Sequence, residues 1–490
     1  MNRRSFMRRA TAGAVGATAL RAGAVAPRAA ASDHRPNVLL IITDQQSWKM
    51  MSCVGNSWLK TPALDALAAS GVRFDLAYTT NPVCGPSRFS LETGRMPNAA
   101  NINNEWDVQE RPVPATILET GLGPLFRAAG YDAAYGGKID LPHAYRDQFA
   151  GLSYRHFEAD RRGRLAEACA DYLKGPHERP FFLTASLINP HDICFVAINA
   201  YRASLGQPPI FDNGDASGDL MKQVQNIKNR PDFFEKHCPP LPANHAIPAL
   251  EPEAIAEQIL KPMPYYGAFR AWVRKHWTEE DWRIHSWIYH RLTERADRRV
   301  GTILAALRDA GLERNTLVVF TSDHGEMNGA HKLEAKEVLY EEATRVPFIM
   351  SYKGVIPEGQ VDSTHLVSTG LDLLPTLCEY AGIKLPPVAL DGRSLRSVVE
   401  GRAPKDWRKY VVAESWGDRM IRTQRFKYAR YACGGHAEQL MDLSVDPGEM
   451  NNLAEQPAYK DALKEHQDLL TSWQLRTWDH AWESDAGARC

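Results

Sequence analysis

The sequence predicts an α/β fold: a large mixed, mostly parallel sheet sandwiched by helices, with a smaller C-terminal α+β subdomain containing an antiparallel sheet. Three observations carry this expectation. Continuous apolar runs recur at residues 37–43, 131–135, 181–188 and 317–322, without the alternation of a half-exposed strand, as befits parallel strands covered on both faces. Helical stretches separate them, each closed by a glycine: 62–70 by Gly71, 116–129 by Gly130 and 282–310 by Gly311. Beyond Tyr352 the pattern changes to short strand-like runs at 410–414, 419–423, 426–431 and 439–443, with the turn Asp446-Pro447-Gly448 and a final helix over 459–473.

Taken in chain order, the elements divide the sequence as follows. Residues 1–31 carry Arg3-Arg4, Phe6, a weak apolar stretch and Ala29-Ala30-Ala31, and resemble a twin-arginine export signal. That stretch is too short and too weakly apolar to span a bilayer, so no membrane span is expected and the location implied is periplasmic or secreted. A catalytic α/β domain is expected over 36–385 and the C-terminal subdomain over 386–490, reached through a linker containing Pro357, Pro386 and Pro387. Residues 200–264, rich in Pro and Asn around Cys238-Pro239-Pro240-Leu241-Pro242, read as an extended loop or insertion, either a passive excursion or a substrate wall.

The chain has 490 residues, 58 basic against 59 acidic, for a net charge of -1. It is long enough for two domains. Its balance of charge gives no overall electrostatic argument for nucleic acid or an anionic membrane. Its 8 cysteines lack Cys-x-x-Cys spacing, which argues against a zinc ribbon or a redox dithiol.

Polar residues follow each apolar run: Asp44-Gln45, Gly136-Gly137-Lys138, Asn189-Pro190-His191 and Asp323-His324. Ligands of open α/β sheets bind beyond the carboxyl ends of the strands, which gathers Asp44, Lys138, His191 and Asp323 at one edge. Asp44, Gln45, Asp323 and His324 offer oxygen ligands and an imidazole to one divalent ion. The most informative stretch is Cys84-Gly85-Pro86-Ser87-Arg88, continuing to Thr93-Gly94-Arg95. Pro86 suits a first helical turn and Gly94 a stop, so Cys84 lies at a helix mouth where free amides favour an anion. Arg88 adds a planar cation suited to a tetrahedral oxyanion such as a sulfate or phosphate ester.

Cys-x-Pro-Ser-Arg followed by Thr-Gly-Arg resembles the signature of the type I sulfatases of the alkaline-phosphatase superfamily, whose cysteine a dedicated enzyme oxidises to formylglycine. The resemblance runs from Asn37 to the stretch 442–453. It implies that Cys84 becomes formylglycine and that this residue, Asp44, Gln45, Asp323 and His324 surround one divalent metal, Ca2+ in most of the family, with Mn2+ suggested by the histidine. It implies further that Arg88, Lys138 and Lys336 face the ester oxygens and that His191 protonates the leaving alcohol. The family's Gly-Lys-x-His element carries Asp140 here in place of the histidine, which leaves His143 or Asp140 as candidate base. Implied partners are a formylglycine-generating enzyme and the twin-arginine translocase during maturation.

The function expected is hydrolysis of a sulfate ester, with a sulfated carbohydrate as substrate. Export, and the aromatic and basic loop residues Tyr265, Tyr266, Arg270 and Trp272, suggest that substrate. Asp44-Gln45 with Asp323-His324 also resembles choline sulfatases and phosphonate monoester hydrolases, so a phosphonate monoester or phosphodiester hydrolase is one alternative. An inactive sulfated-glycan-binding relative is another.

Overall fold

The computed structural model describes residues 35–141, 154–160, 162–210, 216–256 and 267–477. The signal-like segment 1–31, His143, Tyr265 and Tyr266 lie outside the described residues. In chain order the strands are β1 (Asn37–Asp44), β2 (Val72–Phe74), β3 (Ala77–Tyr78), β4 (Asp132–Gly137), β5 (Arg155–Glu158), β6 (Phe181–Pro190), β7 (Thr316–Ser322), β8 (Phe348–Ser351), β9 (Gln360–Asp362), β10 (Val367–Ser368), β11 (Val411–Ser415), β12 (Asp418–Arg422), β13 (Phe426–Arg430) and β14 (Glu438–Asp442).

Eight of these form the large sheet, in the order β5-β4-β6-β1-β7-β8-β2-β9. Every adjacent pair is parallel except β7–β8 and β2–β8, so β8 alone runs against the rest. The central strand β1 is buried along its whole length. Its alternate side chains explain why: Val38, Leu40 and Ile42 enter one apolar cluster, Leu39 and Ile41 the other. A strand covered on both faces needs apolar residues at every position, which is the run read in the sequence.

On the first face pack the helices Cys84–Thr93, Leu122–Ala128 and Thr369–Ala381; on the second pack Pro62–Ala69, Leu165–Lys174 and Glu279–Asp309. The last of these begins in a capping box, in which Thr278 accepts from the Asp281 N–H and Asp281 from the Thr278 N–H. β11–β14 form a separate antiparallel meander, backed by the helix Lys460–Thr477 through Leu470 and Trp473.

Four expectations are corrected. The single helix expected over 116–129 is two, Ala115–Leu118 and Leu122–Ala128, because Gly121 adopts an extended conformation between them and restarts the chain ahead of Pro124. Residues 200–264 are not one extended loop. A helix spans Ala216–Ile227, and Leu220, Val224, Phe233 and Cys238 are buried against Trp282, Trp287 and Ile288. The stretch beyond Tyr352 is not simply a linker, since β9 joins the large sheet and Leu373, Leu374 and Leu377 fill its core. Likewise Arg270 belongs to the helix Gly267–His276 and is buried, so it is no loop residue.

Candidate functional site

Because β1, β4, β6 and β7 are parallel, their carboxyl ends meet at one edge and deliver Asp44, Lys138, His191 and Asp323 there. The helix Cys84–Thr93 brings Cys84 to the same place in its first turn and stops at Gly94, whose φ of 66° is left-handed. Asp44, Cys84, Asp323 and His324 are all buried, with one ligand atom of each within 4.8 Å of the others.

Around Cys84 the contacts are specific. Its Sγ lies 3.2 Å from His324 Nε2 and 3.7 Å from Asp44 Oδ1. Lys336 Nζ donates to the sulfur at 3.2 Å and to Gln45 Oε1 at 2.7 Å. Lys138 Nζ pairs with Asp44 Oδ2 at 2.5 Å and with Asp140 Oδ2 at 3.0 Å. Asp140 therefore serves Lys138 as counter-ion and is held below the usual carboxylate range by that lysine and Arg88, against the effect of burial.

Arg88 lies beneath the cluster rather than open to it. Its Nε donates to Asp323 Oδ2 at 2.8 Å, Nη2 to Asp44 Oδ2 at 3.1 Å, and Nη1 to Ser186 Oγ at 2.7 Å and the Lys138 carbonyl at 3.1 Å. The planar fork thus spans both carboxylates. Gln45, with a left-handed φ of 66°, engages Glu326 and Lys336 with its amide: Nε2 donates to Glu326 Oε2 at 2.5 Å, and Oε1 accepts from Lys336. His191 is partly exposed beside this group. Its Nδ1 has no hydrogen-bond partner, and burial followed by the Lys138 cation pushes its imidazole well below the usual histidine range.

The residues present fit a divalent cation. His324 Nδ1 lies 2.8 Å from the Gly325 carbonyl, which fixes the proton on that nitrogen and turns the Nε2 lone pair toward Asp44, Asp323 and Cys84. Burial, then the Asp44 charge, pushes Asp323 up to about 7, whereas Lys138, His191, Arg88 and Lys336 hold Asp44 well below its ordinary value despite burial. Two carboxylates so close resist joint ionisation unless further positive charge enters.

Two acidic residues near the site were not singled out from the sequence. Glu105 Oε2 accepts the Gly85 N–H at 2.8 Å, occupying an amide of the helix that carries Cys84. Its separation from that helix in the sequence gives no local sign of the contact. Glu326 follows His324 by two residues and was visible, but only the Gln45 contact reveals its place.

The comparisons agree with this geometry. The sulfatase family model matches residues 36–383, and that of the N-sulphoglucosamine sulphohydrolase C-terminal region matches 329–476. A Delta 4,5-hexuronate-2-O-sulfatase of Bacteroides thetaiotaomicron is 30% identical, with 94% of each chain covered. A solved 2-O GAG sulfatase is 28% identical over 91% of this chain and 93% of that one, with a TM-score of 0.73. The phosphonate monoester hydrolase of Agrobacterium radiobacter shares the fold, with a TM-score of 0.70 at 22% identity over 91% of this chain and 97% of that one. With the family model spanning most of the chain and a relative this similar along its whole length, the chain belongs to the sulfatase family and is a sulfuric ester hydrolase.

Proposed function

We propose that the protein is an exported sulfatase that removes sulfate from a sulfated carbohydrate of the glycosaminoglycan type, using formylglycine made from Cys84 and one divalent cation. The observation that carries this is Cys84 in the first turn of its helix, with Lys336 Nζ and His324 Nε2 each 3.2 Å from its sulfur. The sulfur marks the place of the formylglycine oxygens. The relatives named for 2-O-sulfatase activity support the substrate class, and Asn2-Arg3-Arg4-Ser5-Phe6 supports export.

Asp44, Asp323 and His324 would hold the cation, with Gln45 behind them. Calcium is the choice implied by the family, and the imidazole nitrogen leaves manganese open. Once in place, the cation and formylglycine supply positive charge for the sulfate oxygens and an oxygen nucleophile for sulfur.

The chain's own residues do the rest. Lys138 and Lys336 present ammonium groups toward the ester oxygens, where charge develops in an environment that burial keeps dry. Arg88 keeps both carboxylates in register. A protonated His191 gives its ring proton to the departing alcohol oxygen and ends as the neutral imidazole that burial and the Lys138 cation favour. The proton accepted at turnover goes to Asp140 or to His143, with the pairing of Asp140 to Lys138 favouring the histidine.

The first test is mass spectrometry of the tryptic peptide 74–88 from protein made beside a formylglycine-generating enzyme. A mass about 18 Da below that of the cysteine peptide is expected, as a thiol becomes an aldehyde. An unmodified Cys84, with the maturase active on a control, overturns the proposal. Release of sulfate from sulfated disaccharides, measured beside phosphodiesters and phosphonate monoesters, then decides the substrate class.

A further inference from the structure

A second group of metal-ligating side chains lies apart from the carboxylates at the strand ends. His285 comes from the second turn of the helix Glu279–Asp309, Glu326 from the loop after β7, and Glu334 from the segment just before Lys336. One ring nitrogen and one oxygen of each glutamate lie within 4.8 Å of one another. Their relative exposures are 0%, 1% and 3%, so bulk water does not reach them.

What distinguishes this group from an ordinary buried acidic pair is its unmet bonding capacity. Among the described residues neither carboxylate oxygen of Glu334 has a hydrogen-bond partner, and the His285 imidazole has at most a loose contact with the Asn328 side chain, whose Oδ1 is otherwise unmet. Buried polar atoms of this kind destabilise the fold unless something satisfies them. The surrounding protein does so incompletely. Arg270 Nε lies 3.6 Å from Glu334 Oε1, but the same guanidinium is held by Glu337 at 2.7 Å. Trp277 and Trp282 pack against the imidazole and supply no oxygen ligand. Glu326 accepts from the Asn328 and Ala335 N–H groups through Oε1 and from Gln45 through Oε2, which leaves one of a carboxylate's four lone pairs free to point inward.

We propose that His285, Glu326 and Glu334 form a second divalent-cation site, separate from the one at Asp44, Asp323 and His324. It does not rest on the proposed sulfatase mechanism. The three ligand atoms lie within 4.8 Å of one another, and an ion held at about 2.0–2.2 Å from each would draw them closer together. One imidazole nitrogen with two carboxylates suits zinc or manganese, whereas calcium calls for more oxygens than these walls carry. Through Glu326 the bound ion fixes the Gln45 amide, whose Oε1 positions Lys336.

The test is metal content of the full chain, stripped by chelator, dialysed against Zn2+ and in parallel against Mn2+, and read by elemental mass spectrometry. Two equivalents are expected in the parent. Asp323→Asn should keep one, Glu334→Gln should keep one, and the double variant none. His285→Gln must lose the same equivalent as Glu334→Gln. Retention of the strand-end ion by these two variants shows that they fold. Heat stability of Asp323→Asn should rise on adding Zn2+, and that rise should vanish in the double variant. A parent that binds a single ion lost in Asp323→Asn, or two equivalents surviving in both Glu334→Gln and His285→Gln, overturns the site and leaves buried water as the occupant.

Discussion

At the residue scale the site is built on charges that cannot be removed singly. Arg88 spans Asp44 and Asp323 with all three groups buried, so Arg88→Met leaves Asp323 without its cation and Asp44 with Lys138 alone. Breaking a buried pair in this way costs about 3–5 kcal/mol, and urea unfolding should show a loss of that size with sulfatase activity abolished. Lys336 differs, because its ammonium faces Cys84 and Gln45 rather than a carboxylate partner. Lys336→Ala should lower kcat/KM by about 10²–10³, the effect of deleting one charge-stabilising donor, and steady-state kinetics would read it. Glu92 gives a third prediction. Burial pushes its carboxyl up to about 7, although the Gly123 N–H and the Tyr154 hydroxyl donate to it. Between its ordinary value of 4.5 and about 7 the folded state holds a proton that the unfolded state has released, so stability falls as pH rises across that window. The full change is about 3 kcal/mol, and Glu92→Gln should remove it, flattening the pH profile of the unfolding midpoint.

At the element scale, what could be read from the sequence follows from which signals are local. Strands covered on both faces write themselves as unbroken apolar runs, and parallel order then puts Asp44, Lys138, His191 and Asp323 at one edge without any knowledge of contacts. The Cys84 helix was legible for the same reason, with Pro86 near its start and Gly94 after its end. The split at Gly121 was hidden because the flanking residues keep helical propensity on both sides. The helix Ala216–Ile227 was missed although Leu220, Val224 and Ile227 follow helical spacing, since the polar composition around them dominated the reading. Long-range polar contacts, such as Glu105 to Gly85 or Gln45 to Glu326, leave no local sign at all. One element is fixed by a close approach. A Cβ on Gly325 would fall 1.9 Å from the Glu342 carbonyl, so the turn that carries Asp323 and His324 cannot accept alanine without moving. Gly325→Ala should lower the unfolding midpoint by the equivalent of about 1–3 kcal/mol and weaken metal retention at the strand ends, both measurable on one preparation.

At the scale of the whole molecule, the small antiparallel sheet is tied to the site by buried charge. The segment just before β8 supplies Glu341, whose carboxylate meets Lys427 of β13 at 3.3 Å and Arg422 of β12 at 3.7 Å and accepts from the Tyr78 hydroxyl of β3 at 3.0 Å. Its own N–H donates to Glu449 at 2.7 Å, and Glu449 pairs with Lys427 at 2.5 Å. Both ends of this network are buried, and the described residues from Arg35 onward form one compact unit. A subdomain joined through paired charges in a dry interface should not unfold ahead of the sheet it covers, because its release would separate Glu341 from Lys427 and Arg422. Calorimetry of the chain should therefore give one transition, and Lys427→Met should shift it downward as a whole without splitting it. The network also sets an acid limit. Lys427, Arg422 and Arg345 hold Glu341 down to about 2 against the effect of burial, so its contribution is complete above the ordinary 4.5 and is lost as pH falls through about 2. Glu341→Gln should erase that contribution at neutral pH and make the midpoint less sensitive between those values. Two separated transitions in the parent chain would instead mean that the small sheet holds its own fold and that these ion pairs only dock it.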